Sequence, residues 1–362
     1  MAEVLESPEA ASAIDKHGMG LVLEEFPSHC REALKLGLEV NLEALRRRLN
    51  RVSSLVFLGM GGSAVGGSLL RDWAYEGQRL PIEVCRDSRV PGYLGGETLT
   101  VAVSYSGNTY ETLKALEEAL AKGSPAFTVS SGGKLAEESL RRGLVHVRVP
   151  GGFQPRAALP YLMIPVGVIL ERLGILEGFQ AEVEEALSLL EEARRKFSFK
   201  TPLEDNPAKR LALTLHGGLP AIYGFREYST VAYRFKTQLN ENSKIFCKWE
   251  VFPELNHNEV VGWEKLQPFL LGKIRLIIFR DEREPEDLRA MIEAFKEVTS
   301  GRGLQITEVY AEGRGKLSRM LYLVYLSDYV SFYLALLNGV DPTPIASISS
   351  LKRGVEARMA SR

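Results

Sequence analysis

The stretch Leu55-Val-Phe-Leu-Gly-Met-Gly-Gly-Ser-Ala-Val-Gly-Gly-Ser-Leu-Leu70 decides the fold. Its first four residues are apolar, which suits a buried parallel strand. Gly59, Gly61 and Gly62 then make a turn, Ser63 follows, and a run containing Gly66 and Gly67 opens a helix. Glycine lets a backbone come close to a ligand, and the first free N–H groups of a helix attract anions. The loop is not a P-loop, because no Gly-Lys-Ser/Thr follows at the required spacing. Gly59, Gly61 and Ala64 satisfy a dinucleotide fingerprint only in part. Taken alone, the loop is either a structural turn or a phosphate site.

Outward from it, short apolar runs alternate with helical stretches. Residues 82–85, 99–104, 126–130 and 144–149 read as strands, and 109–120 and 134–140 as helices. Strands separated by helices predict a parallel sheet wound with right-handed crossovers. Residues 159–173 read as a buried helix despite Pro165, and 177–197 as a charged helix. Two prolines in 199–207 mark a linker. The second half repeats the outline: strands at 219–225, 274–279 and 305–311, with helices at 228–240, 285–299 and 316–337. Before the first strand, Leu34, Leu38, Leu42, Leu45 and Leu49 recur at helical steps and predict one amphipathic helix. The expected organisation is an N-terminal helical segment (1–50) and two α/β units (51–200 and 201–362). Each unit is a parallel sheet flanked by helices, and the second ends in a C-terminal helix.

Composition narrows the function classes. The 362 residues are 45% hydrophobic and 25% charged, with net charge −1. No basic field points to nucleic acid or an anionic membrane. The three cysteines, Cys30, Cys85 and Cys247, form no CxxC pair, which favours a reducing compartment. The start of the chain is acidic and lacks the apolar core of a signal peptide, and no apolar run is as long as a membrane span. A cytoplasmic protein with no membrane partner is the expectation. The five histidines include no HExxH and no close pair, so no metal site is expected.

A second loop carries chemistry: Ser104-Tyr-Ser-Gly-Asn-Thr-Tyr-Glu-Thr112 follows an apolar strand and opens a helix. Ser104, Ser106 and Thr109 set three hydroxyls at that turn, which suits a phosphate or, equally, an N-cap. Two such loops in one parallel sheet favour a ligand beyond the carboxyl ends of the strands.

Together the two loops resemble a sugar isomerase (SIS) domain. Gln238-Leu-Asn-Glu-Asn-Ser243, Pro253-Glu-Leu-Asn-His-Asn-Glu259, Gln154-Pro-Arg-Ala-Ala158, Asp341-Pro-Thr-Pro344 and Leu351-Lys352 resemble the bifunctional phosphoglucose/phosphomannose isomerases. The resemblance implies two SIS-type subdomains and a hexose 6-phosphate substrate. It places the phosphate on Ser63, Ser104, Ser106 and Thr109, with Gly61 and Gly62 in the loop. It makes Glu241 the base between C1 and C2, and Arg156 the stabiliser of the enediolate. His257 opens the ring and Lys352 assists at the ring oxygen. It links Thr343 to mannose 6-phosphate. It also implies a homodimer in which His257 crosses into the partner's site. No cofactor is implied, and one swinging carboxylate, one imidazole and one guanidinium suffice for an aldose–ketose exchange. A non-catalytic sugar-phosphate sensor is the rival: it keeps the hydroxyls and gives Glu241, His257 and Arg156 no work. An amidotransferase-type enzyme fails because residue 2 is Ala. A nicotinamide dehydrogenase fails because only Glu83 stands near the acidic ribose position.

Overall fold

A computed structural model describes residues 2–49, 51–77, 79–300 and 303–360. Two all-parallel sheets organise them. The first has strand order β2-β1-β3-β4-β5, with β1 Ser54–Leu58, β2 Ile82–Cys85, β3 Thr98–Val103, β4 Ala126–Ser130 and β5 Val145–Arg148. The second has order β7-β6-β8-β9, with β6 Leu219–Phe225, β7 Lys248–Phe252, β8 Ile274–Arg280 and β9 Gln305–Tyr310.

The central strand β1 is buried along its whole length because both its faces are covered. Leu55 and Phe57 enter the main core, while Val56 and Leu58 pack with Ala115, Leu116 and Leu135 of the helices on the other side. That is why its sequence is a continuous apolar run rather than an alternation. In register, Leu55 sits beside Leu99 and Phe57 beside Val101 of β3. The chain runs from β1 out to β2 and then back across to β3 on β1's other side. The crevice between the carboxyl ends of β1 and β3 is therefore a topological switch point, where open α/β sheets bind ligands.

The Lys316–Leu337 helix joins the halves. It packs on the Phe179–Phe197, Pro207–Leu215 and Ser229–Glu241 helices. It has the length and apolarity of a membrane span, against expectation, but that window lies wholly inside the protein. Tyr322, Tyr325, Tyr329 and Tyr333 form a packing stripe on it: three of them meet the Phe197 ring, and Tyr325 stacks on Phe26 at 4.8 Å. Buried hydroxyls still need partners, so Tyr325 donates to the Leu23 carbonyl and Tyr333 to that of Phe197.

Two expectations need correcting. The leucine-rich run before β1 is not one helix: Phe26–Glu39 ends at Val40, which is extended, and only Glu43–Arg46 is helical beyond it. The longer piece packs on the Leu159–Arg172 helix. β7 was not expected from sequence. It is an edge strand whose Lys248 is exposed and whose Phe252 alone is buried, so it lacks the apolar signature of its neighbours.

Candidate active site

The glycine loop leaves β1 at Leu58 and enters the Gly62–Ala74 helix, and the serine loop leaves β3 and enters the Tyr110–Ala121 helix. The two loops are stitched across the switch point: the Tyr105 N–H donates to the Ser63 hydroxyl at 3.1 Å. Ser104 is buried, and its hydroxyl lies 2.8 Å from that of Thr109. Ser106 is exposed and accepts from the Asn108 N–H at 3.2 Å. The N–H groups of Gly61, Gly62, Ser106 and Thr109 find no hydrogen-bond partner among the described residues. Unpaired N–H groups and hydroxyls at two helix starts make a cradle that could hold an anion without a lysine.

A third loop, which the sequence reading missed, braces this cradle. Ser131 donates to the Tyr105 carbonyl at 2.7 Å, and the Lys134 N–H to the Asn108 side chain at 3.1 Å. Gly107 has φ +70°, and a Cβ there would stand 1.8 Å from the Gly132 carbonyl oxygen. Only glycine fits that contact.

The cradle adjoins a second cluster. A Cβ on Gly62 would lie 3.0 Å from the Pro155 carbonyl and the Arg156 nitrogen, so the loop rests directly on the backbone that carries Arg156. Arg156 is 3% exposed and held from several sides. Its Nε donates to Asn242 Oδ1 at 2.6 Å, and its Nη2 to the carbonyls of Pro342 at 2.8 Å and Thr343 at 3.0 Å. Its Nη1 reaches Glu241 Oε2 at 3.3 Å. A guanidinium has five N–H donors, so one on Nη1 remains for a ligand. Burial pushes the Arg156 pKa down, and Glu241 pulls it back up. Glu241 keeps 26% of its side chain exposed, enough for a substrate to reach it.

The Ser229–Glu241 helix positions that carboxylate and is anchored at both ends. At its start, buried Asp72 of the Gly62–Ala74 helix accepts from the Thr230 N–H at 2.9 Å and from its hydroxyl. Along it, Arg234 pairs with Asp328 at 2.6 Å and also donates to the Arg156 carbonyl at 2.9 Å. Gln238 donates to the same Asp328 at 2.7 Å. Burial drives the Asp328 carboxyl pKa up, and Arg234 opposes it. Beyond the helix, Lys244 has φ +57° and donates to the carbonyls of Glu241 and Pro342. Burial first, and then Arg156, push its ammonium pKa down.

The structure thus brings together Gly61, Gly62, Ser63, Ser104, Ser106 and Thr109 in the cradle, and Arg156, Glu241 and Thr343 beside it. No side-chain hydrogen bond or ion pair ties His257 or Lys352 to them. Both are exposed, and neither side chain has a hydrogen-bond or ion-pair partner among the described residues. Lys352 lies on the Ala346–Ala360 helix. Asn242, Lys244, Arg234 and Asp328 are the site's unforeseen members; of these, Asn242 lies inside the Gln238–Ser243 motif. The second sheet has an equivalent switch point between β6 and β8, but Tyr228, Asp281 and Arg319 fill it with a hydrogen-bonded cluster. Among the described residues, no group of three or more His, Cys, Asp or Glu is placed to hold a metal ion.

Residues 204–355 match the family model described as the bacterial phospho-glucose isomerase C-terminal SIS domain. The chain is 38% identical over 328 residues to the bifunctional phosphoglucose/phosphomannose isomerase of Caldicellulosiruptor bescii, covering 90% of this chain and 96% of that one. It is 34% identical to the Thermoplasma acidophilum enzyme of the same name, covering 85% and 91%. In fold it is similar to a hypothetical protein from Thermus thermophilus, with TM-score 0.75 at 18% identity, covering 99% of this chain and 95% of that one. At this identity and over this share of both chains, the chain belongs to the bifunctional phosphoglucose/phosphomannose isomerase family.

Proposed function

We propose that the protein interconverts glucose 6-phosphate, and also mannose 6-phosphate, with fructose 6-phosphate through a cis-enediolate. The observation that carries this reading is the buried guanidinium of Arg156 held against Glu241 on a backbone that touches the phosphate cradle. The cradle fixes the 6-phosphate and supplies remote binding energy. Glu241 takes the proton from one carbon and returns it to the next. The spare Nη1 hydrogen of Arg156 meets the oxygen where negative charge develops. For mannose 6-phosphate, rotation about C2–C3 of the enediol presents the other face of C2 to the same base. Thr343, whose hydroxyl is buried without a partner, is the residue assigned to that discrimination. The scheme needs no cofactor and no metal.

Ring opening falls to His257, and Lys352 assists at the ring oxygen. The exposure of both, and their lack of partners, supports completion of the site in a homodimer, with His257 supplied by the other subunit. Three free, buried cysteines support a cytoplasmic setting.

A coupled assay of fructose 6-phosphate conversion tests the reading. Glu241→Gln should bind the sugar phosphate and turn over at least about a thousandfold more slowly. Wild-type protein that binds without turnover is a sensor, and the isomerase reading fails. Mixing inactive Glu241→Gln with inactive His257→Ala protomers should regain activity, because one hybrid site then holds both wild-type groups. No regain refutes the shared site.

A further inference from the structure

We propose that Asn242 is a positioning residue whose neutral amide holds Arg156 in place while leaving its positive charge unquenched for the enediolate. The inference rests on the isomerase reading.

Asn242 follows the last residue of the Ser229–Glu241 helix and is 1% exposed. Its amide is oriented without ambiguity. The Ser331 hydroxyl spends its only hydrogen on the Asp328 carbonyl at 2.7 Å. Ser331 can therefore only accept from Asn242, whose Nδ2 donates to it at 2.9 Å. Oδ1 then faces Arg156 Nε at 2.6 Å. The Asn242 N–H donates to the Gln238 carbonyl at 2.7 Å, which fixes the backbone as well.

Three of the four acceptors on Arg156 are thus neutral: Asn242 Oδ1 and the Pro342 and Thr343 carbonyls. The fourth, Glu241, is the proton carrier itself and makes the longest contact, 3.3 Å. Neutral acceptors orient a guanidinium without cancelling its field. A carboxylate of the same shape at 242 would form a charge-assisted bond at Nε and compete with the charge that appears on the substrate. The side chain at 242 therefore needs an asparagine's shape together with its neutrality, which an ordinary packing role would not demand.

The experiment compares wild type, Asn242→Asp and Asn242→Ala in the fructose 6-phosphate assay. It also measures binding of two probes: a hexitol 6-phosphate, which carries no charge at C1, and a pentonate 5-phosphate, whose carboxylate sits where the enediolate is charged. For Asn242→Asp, kcat should fall about a hundredfold with KM within about twofold of wild type. Pentonate affinity should fall at least about tenfold while hexitol affinity is unchanged. An Asn242→Asp protein with kcat within about threefold of wild type overturns the proposal, and so does an equal loss of affinity for both probes. Should Asn242→Asp fail to fold, Asn242→Ala decides by the same two probes. Selective loss of the pentonate supports the role; unchanged or equally weakened binding overturns it. Inactive wild-type protein refutes the isomerase reading instead, so the two failures are distinguishable.

Discussion

Replacing Asp328 with asparagine would remove one buried charge and still allow one hydrogen bond each with Arg234 and Gln238. Asp328 accepts from Arg234 Nη2 at 2.6 Å and from Gln238 Nε2 at 2.7 Å, and both ion-pair side chains are 2% exposed. The introduced amide oxygen can still accept from Arg234. Its NH2 can donate to Gln238 Oε1, which is buried without a partner and becomes available when the Gln238 amide turns over. What is lost is the counter-ion of a buried guanidinium, which costs about 3–5 kcal/mol when one partner is removed. Removing both charges, as Arg234→Met with Asp328→Leu, should be neutral or stabilising by about 1–4 kcal/mol. Arg234 Nε already lies buried without a partner, so the wild-type pair is itself incompletely compensated. Urea unfolding followed by far-UV circular dichroism measures both free energies. A single variant that loses less than about 1 kcal/mol, or a double variant as unstable as the single, would refute the reasoning. Turnover should separate from stability. Arg234 also donates to the Arg156 carbonyl at 2.9 Å, so the double variant should fold well and work slowly. Misplacing a reacting group by about 1 Å can cost about a hundredfold in rate. Wild-type kcat in the double variant would sink the positioning role.

Thr343→Gln should spare glucose 6-phosphate turnover and lower mannose 6-phosphate turnover, since the carbonyl that holds Arg156 survives the change; equal losses on the two sugars would remove Thr343 from the discrimination. His146 on β5 lies 2.7 Å from the Thr128 hydroxyl, and burial, with Arg148 second, lowers its pKa below 6.5. Below 6.5 the unfolded chain then binds more protons than the folded one, so stability falls as pH falls. His146→Gln should flatten the fall between about pH 6.5 and pH 5, as measured by urea unfolding at each pH, and an unchanged slope would refute the assignment. His29, whose pKa burial also lowers, accounts for part of what remains.

The fold was legible where burial writes itself into composition. β1 and β3 are covered on both faces and read as apolar runs, and the tyrosines of the Lys316–Leu337 helix recur at the spacing of the stripe they form. β7 was hidden because an edge strand with one covered side keeps charged residues such as Lys248 and Glu250. The helix break at Val40 was hidden because the leucine period continues straight through it, although the backbone does not.

The site divides along the same physical line. A phosphate cradle is local: each loop carries its glycine, its hydroxyls and its helix start within a few residues, so sequence alone raises it as a candidate. The repeat of the architecture in the second half does not repeat the cradle, because Tyr228, Asp281 and Arg319 occupy that crevice with their own bonds. The charge-handling centre is non-local. Arg156 is held by partners 85, 86, 186 and 187 residues away. No spacing rule reaches that far, and only resemblance singled out Arg156, Glu241 and Thr343. Resemblance in turn passed over Asn242, Lys244 and Asp328, whose side chains bond Arg156, the residues around it and the backbone. Of those three, Asn242 alone bonds Arg156 directly, and it does so through a neutral oxygen.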